Sequence, residues 1–205
     1  VRAMTDAMGG SFEVTGAAHR PAEDAGRSSA AATVWAGGGI TALRLEGFQP
    51  SVSARLQALE QRFGRNVATG ILDREQSIAF WLEVRDVATL MTPAGVVWRL
   101  SLPPTEAARV ARLVSAAVVQ TETIYDWAGG LVWLRLPTAD DAHASLIRSA
   151  LPSGHATLAR ARAAVRESVS VFQPQPDALK ALTRRLKAAF DPAGILGRGR
   201  MYPDM

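Results

Sequence analysis

From Val96 onward the chain alternates strand-like and helix-like stretches in an order that few folds accept. Residues 96–102 (VVWRLSL) are β-branched and aromatic and read as a strand. Pro103-Pro104-Thr105 then opens a helix that turns Val110, Leu113, Val114 and Ala117 inward. Residues 121–127 and 131–136 form a strand pair around Ala128-Gly129-Gly130, residues 140–150 a helix, and residues 156–161 a last strand. The order is β-α-β-β-α-β. Only an antiparallel sheet with both helices on one face buries such a set in a single core, so the predicted fold class is α+β with a ferredoxin-like core.

The first half partly echoes this arrangement. Residues 2–9 read as a short helix, 11–19 as extended and 21–29 as a polar loop. Residues 33–36 and 41–47 flank Gly37-Gly38-Gly39 as a hairpin. Val52, Leu56, Leu59 and Phe63 mark a helix after Pro50, closed by Gly64. Residues 67–72 read as a short strand and 74–91 as a helix with Ile78, Trp81, Leu82 and Arg85 near one face. These elements predict an enlarged sheet. Similarity between the halves is too weak to count as a repeat.

The chain has 205 residues, 48% of them apolar, enough for one domain with a sizeable core. No apolar run reaches the roughly 18 residues of a membrane span. There is no cysteine, which excludes disulfides, thiolate metal sites and a Cys nucleophile and fits a reducing compartment. A Val start without a signal-peptide pattern suggests a fragment, a processed chain or an alternative start. The net charge is +4 and the pI near 10.3. Lys180 and Lys187 are the only lysines, so the basic charge is almost all arginine, scattered without the alternating aromatics of a stacking platform. Nucleic-acid binding is not expected.

No self-contained catalytic set is present. There is no G-x-S-x-G elbow, no phosphate-binding loop and no G-x-G-x-x-G. The Gly37–Gly39 triplet precedes a strand, not the helix a phosphate site needs, and reads as a turn. The three histidines lack metal-ligand spacing, and no metal site is predicted. His143 follows Asp140 by one turn and reads as a surface pair. His155 opens a strand, either as a loop residue or pointing at a ligand. The five tryptophans, Trp35, Trp81, Trp98, Trp127 and Trp133, read as core. Arg85, Arg99 and Arg135 share those elements. Each either pairs with a local carboxylate or recognises an anion, such as the carboxylate of a hydroxy acid.

The tail, residues 171–202, reads as a Pro-flanked loop, one amphipathic helix and a Gly-rich end. Leu179, Leu182, Leu186 and Phe190 share one helix face, Asp177 is placed to cap it, and Pro192 ends it. Gly194, Gly197 and Gly199 then alternate with Arg198 and Arg200. This is either a solvated basic terminus or a backbone able to approach an anionic ligand.

Several segments in one order carry a resemblance: FEVTGAAHRP (12–21), LRLEG (43–47), FWLEVRD (80–86), VWRLSLPP (97–104), DWAGGLVWL (126–134), HATLARA (155–161) and the tail. Together they resemble the C-terminal region of the glycolate oxidase E subunit, within the FAD-linked oxidases of the vanillyl-alcohol oxidase and p-cresol methylhydroxylase type. The resemblance covers nearly all of the chain. It implies a cap domain (1–170), which in relatives covers the flavin and shapes the substrate pocket, followed by a segment (171–205) that returns to an FAD-binding domain absent from this chain. It implies FAD in the intact subunit and none on this chain alone, with Gly199, Arg200 and Tyr202 near the cofactor. Arg85, Arg99 and His155 are the candidates on the substrate side, and no catalytic residue is expected here. The implied partners are a D-type flavoprotein and iron–sulfur subunits, in a cytoplasmic complex or one held at the membrane by partner subunits. The family tail usually reads G-I-x-N-P-G-R. Here the Asn-Pro pair is missing between Ile195 and Gly199, and the His-rich signature of D-type relatives is absent. Both departures count against hydroxy-acid oxidation by this polypeptide alone. The competing expectation is a stand-alone ferredoxin-like binding or dimerisation module without redox chemistry.

Overall fold

A computed structural model describes residues 1–32, 37–65 and 67–202. The first half contains α1 (Arg2–Gly9), β1 (Gly16–Arg20), α2 (Ala22–Ala25), β2 (Ile40–Arg44), α3 (Gln49–Phe63) and α4 (Arg74–Asp86). The second contains β3 (Val96–Ser101), α5 (Pro104–Ala117), β4 (Glu122–Asp126), β5 (Leu131–Leu136), α6 (Ala144–Ala150), β6 (His155–Arg160), α7 (Ala163–Ser168) and α8 (Asp177–Phe190).

The strands form one antiparallel sheet in the order β2-β1-β4-β5-β3-β6. The β4-β5-β3-β6 part is the ferredoxin-like arrangement expected from β-α-β-β-α-β, and β1 and β2 enlarge it beyond β4. Strand alternation then divides the side chains between two faces. On the first, Trp98 and Leu100 of β3, Val132 and Leu134 of β5 and Leu158 of β6 meet Val110 and Val114 of α5 and Ile147 of α6. Each such fully buried side chain stabilises the fold by roughly 1.5–3 kcal/mol. Trp98 is wholly enclosed, and its indole N–H donates to the Ala142 carbonyl at 2.9 Å, so its one polar group is satisfied. On the same side Met4 and Ala7 of α1 and Leu59 of α3 cluster with Ala17 of β1.

The second face is covered only in part, by α4. A capping box starts this helix: the Asp73 carboxylate accepts from Gln76 N at 2.9 Å, and the Gln76 side chain accepts from Asp73 N at 3.0 Å. Phe80 and Val84 pack with Ala18 of β1, and beyond the helix Val87 and Leu90 pack with Ile124 of β4. A cluster of charges pins α4 down. The Arg20 guanidinium is almost fully enclosed and donates to Asp24 and to Glu83, both at 2.5 Å. Glu83 also accepts from Ser28 Oγ (2.6 Å), Ser29 Oγ (2.9 Å) and Ala30 N (3.2 Å). Arg27 links Asp24 to Glu122, which Arg135 also meets.

Several expectations need correction. Residues 21–29 are not all loop, because Pro21 is followed by the short helix α2, which places Asp24 against Arg20 one turn earlier. The extended stretch 11–19 narrows to a strand beginning at Gly16, since Glu13 takes a left-handed φ of 50°. Residues 67–72 form no strand: among the described residues no strand pairs with them, and Val67 and Ile71 are exposed. Residues 33–36, with Trp35, lie outside the described residues; the following strand β2 pairs with β1. The helix expected over 74–91 stops at Asp86, where Val87 turns left-handed (φ 49°) and dives into the core.

In α5 the buried stripe is Ala107, Val110, Ala111 and Val114, while Leu113 and Ala117 sit off it and are exposed. The helix expected over 140–150 begins at Ala144, after left-handed Ala142 and His143. His143 Nε2 lies 3.1 Å from the Pro137 carbonyl rather than on Asp140 or Asp141; Asp141 accepts from the His143 backbone N at 2.9 Å, and Asp140 is 3.6 Å from Arg162. In α8, Pro176 occupies the cap position, and Asp177 is the first helical residue without a side-chain capping bond. Its carboxylate still suits the positive end of the helix dipole. No residue of α8 is buried, and the Leu179, Leu182, Leu186 and Phe190 face lies open.

Candidate functional site

The uncovered part of the second sheet face and the flank of α4 enclose an open groove of about 480 Å³. Strand register builds its floor. Arg99 of β3 stands opposite Trp133 of β5, and Leu131 of β5 stands opposite Asp126 of β4. One wall is Trp81, Leu82 and Arg85 of α4, which share a helix side at one-residue and one-turn spacing. Arg44 of β2 closes one end, and the turn after β4 brings in Trp127. Gly16 makes room for this wall: a Cβ there would lie 3.1 Å from the tip of the Trp81 indole.

The turn is conformationally unusual. Trp127 (φ 51°), Ala128 (φ 55°) and Gly129 (φ 100°) are consecutive left-handed residues. Left-handed non-glycine residues cost free energy that the surroundings must offset, and such positions concentrate at functional sites. The Asp126 carboxylate accepts from Trp127 N at 2.7 Å and holds the turn. The result presents the Trp127 indole, 57% exposed, with the Arg99 guanidinium 5.1 Å from its ring centre.

The groove is cationic and aromatic. Of its guanidinium groups, Arg85 forks onto neighbouring Asp86 (2.7 and 3.1 Å) and Arg44 meets Glu46 at 2.9 Å. Among the described residues no carboxylate pairs with Arg99. Asp126 lacks a cation partner in turn, and burial pushes its carboxyl up against the opposing bond from Trp127 N. An unpaired guanidinium, an unpaired half-buried carboxylate and three indoles suit an anion with a flat or apolar body. They do not form a nucleophile–base pair. No group of three or more His, Asp or Glu able to hold a metal occurs among the described residues.

Two of the three substrate-side candidates, Arg85 and Arg99, meet in this groove, and His155 does not. His155, on the edge strand β6, stands opposite Ser101 of β3 and is exposed outside the groove lining. For Arg85 and Arg135 the local-carboxylate alternative is the one realised, on Asp86 and Glu122. Gly199, Arg200 and Tyr202 lie in the tail, outside the groove lining. The Tyr202 hydroxyl donates to Gln173 O at 3.2 Å, and its ring lies 6.3 Å from Phe172. Gly194, Gly197 and Gly199 all have positive φ, the conformations their type permits.

Reading every tryptophan as core missed Trp127, and it missed Asp126 altogether. Trp98 is core, whereas Trp81, Trp127 and Trp133 line the groove. The available signal was Asp126-Trp127-Ala128-Gly129-Gly130, a large aromatic set at a tight turn.

The fold and groove define an α+β sheet domain with one cationic, indole-lined face. No protein-family model matches the chain. The glycolate oxidase subunit GlcE of Escherichia coli (strain K12) is 29% identical over 164 residues, which is 80% of this chain and 39% of that protein. This supports a distant relationship to a glycolate oxidase subunit, of whose length the chain spans well under half.

Proposed function

We propose that this chain is the cap part of an FAD-linked 2-hydroxy-acid oxidase subunit of the glycolate oxidase type. Residues 1–170 form the cap, and residues 171–205 return to an FAD-binding domain elsewhere in the intact protein. The carrying observation is the convergence of Arg85 and Arg99 with Trp127 and Trp133 in one open groove, in a chain similar to GlcE. When bound, FAD accepts the two electrons released by oxidation of the hydroxy acid. The chain's own residues do the binding. Arg99 takes the substrate carboxylate, Trp127 and Trp133 exclude water from one side, and Asp126 stands where a hydroxyl would be held. A groove of indoles and guanidiniums suits an anion with a flat or apolar body. The exposed Arg200 side chain, among left-handed glycines, is suited to meet a phosphate of the cofactor.

Docking supports the same reading. The open α8 face ends in Phe190, 81% exposed, and is followed by exposed Ile195, Leu196 and Met201. An apolar surface of this kind marks an interaction site. In this reading it meets the FAD-binding domain, and the assembled subunit joins D-type flavoprotein and iron–sulfur partners in a cytoplasmic complex. No helix among the described residues is long and apolar enough to cross a membrane.

The test is flavin content. The full reading frame around this chain, expressed and gel-filtered, should carry stoichiometric flavin absorbance, and the 205-residue chain alone should be colourless. A full-length product without flavin would overturn the reading. It would leave the stand-alone dimerisation module, which the same α8 face favours and which light scattering would reveal as a stable dimer.

A further inference from the structure

The groove is too large and too indole-rich for a two-carbon acid. It is an open groove of about 480 Å³, comparable in size to the roughly 300–1,000 Å³ of ligand clefts. Three of its lining residues are tryptophans, and Ile78, Leu82 and Leu131 add aliphatic surface. A ligand the size of glycolate would meet the charged groups and leave this apolar surface wet. Burying it against the body of a larger ligand is favourable in proportion to the area removed from water.

The charged groups add a second requirement. Arg99 and Asp126 both line the groove without forming an ion pair. Arg99 stacks on Trp127 and keeps its donors for an acceptor that the described residues do not supply. Asp126 spends one oxygen on Trp127 N, and no other hydrogen bond among the described residues reaches its carboxylate. A bare carboxylate ligand would satisfy Arg99 and be repelled by Asp126. A carboxylate that also carries a hydroxyl satisfies both, because the hydroxyl donates to Asp126.

We propose that the groove selects an aromatic or bulky-aliphatic 2-hydroxy acid over a two-carbon one, with Arg99 holding the carboxylate, Asp126 accepting from the hydroxyl and Trp127 covering the body. Asp126 is thereby a specificity residue. The inference rests on the groove being the ligand-facing surface of a cap.

Tryptophan fluorescence of the chain reads this directly, since three of its indoles line the groove. The probes are mandelate, phenylacetate, which lacks the hydroxyl, and glycolate, which lacks the body. A hydroxyl bonded to a charged acceptor separates mandelate from phenylacetate by about tenfold or more. Glycolate should bind at least about tenfold more weakly than mandelate, through lost apolar burial. Arg99→Gln should weaken mandelate and phenylacetate alike. Asp126→Ala should bring mandelate to the affinity of phenylacetate while leaving phenylacetate no weaker. Should Asp126→Ala fail to fold, Asp126→Asn retains the bond from Trp127 N, replaces the charged acceptor by a neutral amide and should lower the mandelate-to-phenylacetate ratio in the same direction. A mandelate-to-phenylacetate ratio under about threefold, glycolate binding as tightly as mandelate, or no quenching by any of the three up to millimolar concentrations overturns the proposal. Any of these results beside a flavin-bearing full-length subunit removes the ligand class alone. A full-length subunit without flavin removes the cap reading.

Discussion

The Arg99 guanidinium carbon lies 5.1 Å from the centre of the Trp127 ring, and the two residues come from a strand and a turn 28 positions apart in sequence. The contact orients Arg99 toward the groove, because a guanidinium stacked on a ring face directs its N–H groups outward along its edge. Trp127→Ala should therefore cost no more than about 1 kcal/mol of stability, the size of an exposed cation–π contact. It should weaken carboxylate binding more than it weakens the fold. Thermal unfolding and anion titration of the same variant separate the two effects.

Glu83 gathers donors from Arg20, Ser28, Ser29 and the Ala30 backbone, and so ties α4 to the loop after α2. Burial pushes its carboxyl up, but the bonds from Ser28, Arg20, Ala30 N and Ser29 outweigh burial and hold it below its ordinary 4.5. A depressed carboxyl contributes stability that is present above its unfolded value and lost as pH falls through the folded one. Glu83→Ala should destabilise by about 3 kcal/mol at neutral pH, the loss expected when one partner of a buried pair is removed. The deficit should shrink below pH 4.5. Denaturant unfolding across that range measures it.

Asp191 ends α8 and gathers the start of the tail. Its carboxylate accepts from Lys187 Nζ (2.8 Å), Ile195 N (3.0 Å) and Leu196 N (2.9 Å). The Lys187 bond, followed by that from Leu196 N, holds it down at about 2, against an ordinary 3.8. The contribution is therefore complete above its ordinary value and disappears as pH falls toward about 2. Asp191→Ala should release residues 192–197 at neutral pH. Hydrogen exchange at Ile195 and Leu196 should rise to the level of an open chain while the β-sheet amides keep their protection.

The α8 face predicts a variant that is silent in one setting and damaging in another. Leu186 is more than half exposed, so Leu186→Glu should change the stability of the isolated chain by no more than about 0.5 kcal/mol. In the full-length subunit it should reduce flavin retention, because it places a charge in the apolar contact. Unchanged flavin content would mean that the face docks elsewhere.

Much of the architecture was legible because it rests on local chemistry. The alternation in 96–102 and 131–136, the prolines opening α5 and the stripe of α8 are each written within a few residues, and each formed. Arg85 and Arg99 share one groove, but Arg85 is engaged by Asp86. What failed depended on distant partners. Residues 67–72 have strand-like composition but no strand beside them among the described residues. Val87 leaves the helix and packs with Leu90 and with Ile124 of β4, 37 residues on. Trp98, inside β3, and Trp127, in the turn after β4, are the same residue type, one wholly enclosed and the other presented to solvent.

The sequence by itself determined the element order from Val96 onward, the antiparallel ferredoxin-like core and the apolar stripe of α8, because spacing, capping and turn residues act over one or two turns of chain. Only the tertiary structure decided which charges pair and which stay open. Arg135 meets Glu122 and Arg20 meets Glu83, while Arg99 meets no carboxylate among the described residues and stacks on an indole. That distinction depends on sheet register and on where α4 lies, and both follow from the summed packing of residues far apart in the chain.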